Sequence, residues 1–160
     1  MFVLGLDPGL TTTGYGLVRR QPNFEAVAAG VIRTEPGLPL PVRLLELHRS
    51  LSTIISEHQP DEVAIEQIFT NRNLQTAISG CRAGGGAILV AAQNDLPVYE
   101  YPPTVVKSAI TGDGAADKKM VARMVCLRLG IDPPRPADAA DALAVAICHL
   151  QSLRVVEMQQ

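Results

Sequence analysis

Four carboxylates occupy positions from which they could work together. Asp7 closes the apolar run in VLGLDPGLTTTGYGLV, Glu66 closes another in EVAIEQ, and Asp138 and Asp141 lie three residues apart in PRPADAADALAVAICHL. An aspartate before Pro8-Gly9 is also ordinary turn chemistry, since its side chain accepts hydrogen bonds from backbone two residues on. Acids in a first helical turn are likewise favoured by the unpaired N–H groups, typically by about 0.3–1 kcal/mol. Asp141 resists that simple account. Ala139, Ala140, Ala142, Leu143, Ala144 and Val145 make its surroundings apolar nearly all round, as in a helix buried between layers. A lone ionised carboxylate there is costly unless it is paired or bound to a cation. Four carboxylates brought together would raise one another's pKa unless hard cations neutralised them. Oxygen donors, with no His or Cys at ligand spacing, select Mg²⁺ or Mn²⁺ over zinc. Two such ions roughly 3.5–4 Å apart are a general device for in-line phosphodiester hydrolysis.

For these acids to meet, the chain must bring its strand ends and its last helix to one place. Phe2–Asp7, Tyr15–Arg20 and Phe24–Arg33 read as three consecutive antiparallel strands, with Gln21-Pro22-Asn23 as a turn. Apolar residues from Val42 to His58 recur at helical spacing. Glu62–Gln67 is then a short strand reached through a helix, hence parallel to the first. Asn73 can cap a helix to Asn94, and Leu96–Tyr101 reads as a fifth strand. Three helices follow, Thr104–Ile110, Asp117–Leu129 and Ala137–Leu150, with Pro136 suited to the first turn of the last one. The order β-β-β-α-β-α-β followed by helices describes an α/β fold, a five-stranded mixed sheet with helices on both faces. If the first and fourth strands are neighbours, Asp7 and Glu66 sit at corresponding carboxyl ends, where ligands of such sheets gather. Asp138 and Asp141, three apart on one helix face, can reach them from the last helix.

Composition narrows the function classes. At 160 residues, 47% hydrophobic and 19% charged, the chain suits one soluble domain. No apolar run approaches the roughly 18 residues of a membrane span, and no secretory leader pattern precedes the first strand, so a cytoplasmic protein without membrane contact is expected. Cys81, Cys126 and Cys148 form no Cys-x-x-Cys pair and are expected to be reduced. A net charge of −2 excludes a globally basic nucleic-acid binder, so any polyanion must be held by a local patch or by metal ions.

LGLDPGLTTTGYG, AIEQIF, a Val-Lys before a Gly-x-Gly loop and ADAADALAVAICH resemble, in order and spacing, the RuvC family of Holliday-junction resolvases over about residues 1 to 150. The resemblance implies a ribonuclease-H-like nuclease domain over 1–150 with a short C-terminal tail at 151–160. It implies that Asp7, Glu66, Asp138 and Asp141 are the catalytic ligands of two Mg²⁺ ions, with Mn²⁺ able to substitute. The activity implied is resolution of four-way (Holliday) junction DNA by paired symmetric nicks that leave 5′-phosphate ends. The implied partners are a second copy of the chain and the branch-migration proteins RuvA and RuvB.

The same resemblance assigns residues that the sequence alone leaves open. Phe69, beside the polar loop of EQIFTNRN, reads from the residues alone more readily as core than as a base-stacking group; the resemblance reverses this and makes it a wedge at the junction centre. Lys107, Lys118 and Lys119 make the segment around Gly112-Asp113-Gly114 locally basic, a pattern that also describes a solvated helix face. By resemblance Lys107 and Lys118 contact phosphates, and Arg72 is a weaker backbone contact. Gly80, Gly84, Gly85 and Gly86 each cost a helix interior about 1 kcal/mol relative to Ala, which points to close backbone approach or a break. The family's dimer helix fits such small residues, with Gly84 expected near the two-fold axis. Arg82-Ala83-Gly84-Gly85 departs from the family's Gln-Ala-Arg-Gly. Two rival readings are an actin-like phosphotransferase, whose opening loop is similar to DPGLTTTG, and a junction-binding module without nuclease activity.

Overall fold

Alternation along two strands decides where the site lies. In the computed structural model, which describes residues 1–68, 73–134 and 136–157 with side chains through 153, β1 (Phe2–Asp7) and β4 (Glu62–Glu66) run parallel and side by side. Their register places Leu6 against Ile65, so Asp7 and Glu66 follow one step later at the same edge. Leu4, Leu6, Val63 and Ile65 point to one face, while Val3, Gly5, Ala64 and the two terminal acids take the other, as a period of two requires.

The remaining elements follow the expected order. β2 (Thr12–Gln21) and β3 (Asn23–Arg33) complete the meander, and β5 (Val98–Tyr101) pairs parallel with β4, giving the order β3-β2-β1-β4-β5. α1 (Leu40–His58) and α2 (Leu74–Gln93) cover the face of Leu4 and Leu6; α3 (Pro103–Thr111), α4 (Lys118–Leu129) and α5 (Asp138–Glu157) cover the other. This is the mixed five-stranded, ribonuclease-H-like α/β fold. Several boundaries differ from the sequence reading, most of them by a residue or two. β2 starts at Thr12 rather than Tyr15, because Thr12 and Thr13 pair with Arg33 and Ile32. β5 starts at Val98. α5 continues past Leu150 to Glu157, no glycine or proline being there to stop it.

α5 is buried on all sides from Ala139 to Leu150 apart from Asp141. It lies directly on the backbone of β1 and β2. A Cβ added to Gly5 would stand 2.1 Å from the Ala142 carbonyl oxygen, one on Gly14 would stand 2.1 Å from that of Asp138, and one on Gly16 would meet Leu143. Gly5 and Gly16 are cross-strand partners, and Gly14 is the partner of Asp7. The glycines therefore form a groove that takes the helix at backbone distance and delivers its first turn to the end of β1.

Candidate metal centre

Asp7, Asp138 and Asp141 are brought together by that groove. Each can offer a carboxylate oxygen, and the three oxygens lie within 4.8 Å of one another. All three carboxylates are half-buried. Glu66 lies outside this tightest group but is hydrogen-bonded to the Asp7 carboxylate. The sequence places all four acids at this edge, and the structure sets three close together with the fourth against Asp7.

Their electrostatics suit an added cation. Asp7 is pushed up to about 6, chiefly by burial and then by the charge of Asp141. Glu66 is pushed up to about 8, again by burial first and by Asp7 and Asp141 next. Burial and mutual repulsion thus disfavour full ionisation of the pair. Lys118 partly offsets the negative charge: its Nζ donates to Asp141 Oδ2 at 3.0 Å, a bond that raises the lysine's own pKa. One exposed lysine against four half-buried acids leaves the cluster short of positive charge. An all-oxygen donor set of this kind fits a hard divalent cation.

The acids open into a cleft of about 1090 Å³. Lys107 on α3 and Lys118 at the start of α4 both line it, while Lys119 is exposed on α4 and does not. Phe69 and Arg72 lie outside the described residues. The cleft is also lined by Gln75, Thr76 and Ser79 on the first turns of α2, which the sequence reading passed over. Their signal was available: Asn73 caps α2 by accepting from the backbone N–H groups of Gln75 and Thr76, and polar residues right after a cap face whatever the helix end faces.

The loop after Asp7 is tied internally. Thr13 Oγ1 donates to the Gly9 carbonyl at 2.7 Å and Thr34 Oγ1 to that of Leu10 at 2.6 Å. Arg43 donates to both Thr34 Oγ1 and Thr11 Oγ1 at 2.9 Å. These bonds fix the strand end that carries Asp7, and the Thr13 hydroxyl proton is committed to the Gly9 carbonyl.

Gly80 and Gly84 hold α2 against the same loop. A Cβ on Gly80 would meet Ile68 side-chain atoms at 3.1 Å and the Pro8 carbonyl oxygen at 3.4 Å, and one on Gly84 would face the Pro8 ring at 3.7 Å. This corrects the expectation that Gly84 lies near a two-fold axis, since it points inward. Gly85, with nothing within 4 Å of its Cβ position, is the one that faces out. It belongs to an outward stripe with exposed Leu74, Cys81 and Leu89 and half-buried Ile78, in which Leu74 is 65% and Leu89 54% exposed.

Comparison with known proteins accords with this geometry. Residues 3–149 match the family model described as "Crossover junction endodeoxyribonuclease RuvC". A protein of that name from Syntrophomonas wolfei is 49% identical over 157 residues, covering 97% of this chain and 91% of its own length. The structure of Thermus thermophilus RuvC in complex with a Holliday junction substrate superposes with a TM-score of 0.91 at 35% identity, covering 97% of this chain and 96% of that one. The yeast mitochondrial Holliday junction resolvase Ydc2, 12% identical with a TM-score of 0.65 over 98% of this chain and 85% of its own, shares the fold.

Proposed function

The chain belongs to the RuvC family of crossover junction endodeoxyribonucleases, and we propose that it resolves four-way (Holliday) junctions by paired, symmetric nicks, with Asp7, Glu66, Asp138 and Asp141 holding two Mg²⁺ ions. The convergence of three carboxylate oxygens within 4.8 Å beside a fourth acid, at the floor of an open cleft, carries this reading. Mn²⁺ satisfies the same donors and can replace Mg²⁺. When bound, the ions supply the charge needed to activate a water and to stabilise the leaving oxygen of a phosphodiester.

The chain's own residues do the rest. The four acids hold the cations, and ligation competes with protonation of the carboxyls whose pKa values are raised. Lys107 and Lys118 receive phosphates along the cleft, and Lys118 can turn from Asp141 to the substrate once cations take over that carboxylate. Lys119, exposed beyond the cleft, contributes at most to general attraction for the polyanion. Phe69 stacks on a base at the junction centre, and Arg72 contacts the backbone nearby. The outward stripe of α2 is the contact for a second copy. A four-way junction with two-fold symmetry needs two sites related the same way, and a helix with exposed leucines around a glycine allows close approach. Residues 1–150 form the nuclease domain and 151–160 a C-terminal extension. RuvA and RuvB are the partners that would bring junctions to it. No helix among the described residues is long and apolar enough to cross a membrane, and three unpaired cysteines suit a reducing cytoplasm.

Labelled four-way junction, linear duplex of the same sequence and a nucleoside triphosphate, each incubated with the protein and Mg²⁺, test the reading. Junction-restricted paired nicks with ligatable ends are expected. Triphosphate hydrolysis without nicking would move the chain to the phosphotransferase class, and binding without nicking to an inactive junction binder. The buried, internally bonded Thr13 hydroxyl speaks against the first rival and the intact acid cluster against the second.

A further inference from the structure

His149 is buried to 1% exposure on α5 and does not line the cleft, yet both of its ring nitrogens are bonded. Its Nε2 meets Glu62 Oε2 at 2.5 Å and its Nδ1 meets the Tyr101 hydroxyl at 2.6 Å. The Tyr99 ring lies over it, with centroids 4.5 Å apart at 34°. A neutral imidazole satisfies both contacts: Nε2–H donates to the Glu62 carboxylate, and Nδ1 accepts from the Tyr101 O–H. Mere filling of space would not require this, since leucine, valine and isoleucine fill the neighbouring buried positions of the same helix.

The placement of these partners gives the contact a purpose. Glu62 and Glu66 are the two ends of β4, four residues and about 13 Å apart at ordinary strand rise. Asp141 and His149 are eight residues apart on α5, about 12 Å at helical rise. Strand and helix are thus two rails of matching length, joined at one end by the acidic centre and at the other by His149 and Glu62. The glycine groove sets how closely α5 approaches β1 and β2, but its glycines all lie on those two strands and give no directional hold on β4. Two short hydrogen bonds from one ring do.

We infer that His149 is a positioning residue for the acidic centre: by tying α5 to β4 and β5 it sets the distance between Asp138 and Asp141 on the helix and Glu66 on the strand. This rests on the reading of the four acids as a cation site. Loss of the tie should then weaken cation binding in the way loss of outer-shell support does, by roughly 10–100-fold.

The test measures Mn²⁺ binding to the protein alone by electron paramagnetic resonance, beside thermal melting and junction binding in chelator. His149→Leu and Glu62→Ala are expected to bind Mn²⁺ at least about tenfold more weakly, with junction affinity in chelator unchanged. The Mg²⁺ concentration for half-maximal cleavage should rise by the same factor. Glu62→Gln, which keeps a hydrogen bond to the ring, should stay close to wild type. If His149→Leu fails to fold, Glu62→Ala decides alone. Wild-type Mn²⁺ affinity in a folded but less stable variant overturns the inference and leaves His149 a packing residue. A wild-type protein that binds no Mn²⁺ overturns the cation-site reading itself, and the inference with it.

Discussion

α5 and α2 flank the same acidic cleft, are both 20 residues long, and are both poor in bulky side chains, for opposite reasons. α5 is small-residued because it is enclosed: alanines on the helix and glycines on the strands let it lie on the sheet backbone, and its few polar groups are placed where they act. α2 is small-residued on one side only. Gly80 and Gly84 bring it onto the loop that follows Asp7, while Leu74, Ile78, Cys81, Gly85 and Leu89 are left outside. The first helix is completed by its own chain; the second is completed, in the proposed assembly, by a second copy.

The largest effects should come from α5 and its groove. Asp141→Asn and Glu66→Gln are each expected to reduce cleavage well beyond the roughly 10–100-fold typical of losing outer-shell support, with junction binding in chelator retained. Cleavage at near wild-type rate by either would remove that acid from the site. Gly14→Ala should follow. Its new methyl would stand 2.1 Å from the Asp138 carbonyl oxygen, so stability falls by about 1–3 kcal/mol and Asp138 is moved off the site. Thermal melting and Mn²⁺ binding both read this change, and a variant matching wild type in both would show that the groove tolerates a wider gap.

Neighbouring positions on α2 then separate its two faces. Gly85→Leu should turn the proposed dimer to monomer in sedimentation while leaving the melting temperature close to wild type. Gly84→Leu should lower stability and cleavage through the Pro8 loop while the dimer persists. The reverse pattern would exchange the roles assigned to the two faces.

A smaller effect concerns pH. The carboxyls of Asp7 and Glu66 titrate near 3.8 and 4.5 in the unfolded chain, and are raised to about 6 and about 8 in the fold. Over that interval the folded protein binds more protons than the unfolded chain, so this contribution is full below about pH 4 and is lost as pH rises toward 8. In chelator the melting temperature should therefore fall from pH 5 to pH 8. Excess Mg²⁺ should reduce the fall, and Glu66→Gln should remove most of it. A metal-free protein insensitive to pH in this range would contradict the crowding of the acids.

Much of this was legible in the sequence, and what was not shares a cause. The acids could be found because each ends an apolar run or sits in one, which is a local signal. The element order followed from turn chemistry and periodicity. The groove did not, because Gly5, Gly14 and Gly16 read as weak strand residues until the helix more than a hundred residues later is laid across them. Gly84 was placed on the wrong face of α2 for the same reason: a row of glycines says that something comes close without saying what. His149 gave no local signal at all, since its partner Glu62 is 87 residues away. Asx capping at Asn73 was recognised, but the polar wall it starts was not followed into the cleft.

The central claim is that the acid cluster performs the chemistry while other groups hold the junction. Asp7→Asn tests it most directly, compared with wild type on labelled four-way junction with Mg²⁺ for cutting and in chelator for binding. The substitution removes one carboxylate charge at nearly constant volume, at the point where the glycine groove and the cleft meet. Binding equal to wild type with no paired nicks is the predicted result; nicking at the wild-type rate would contradict the account.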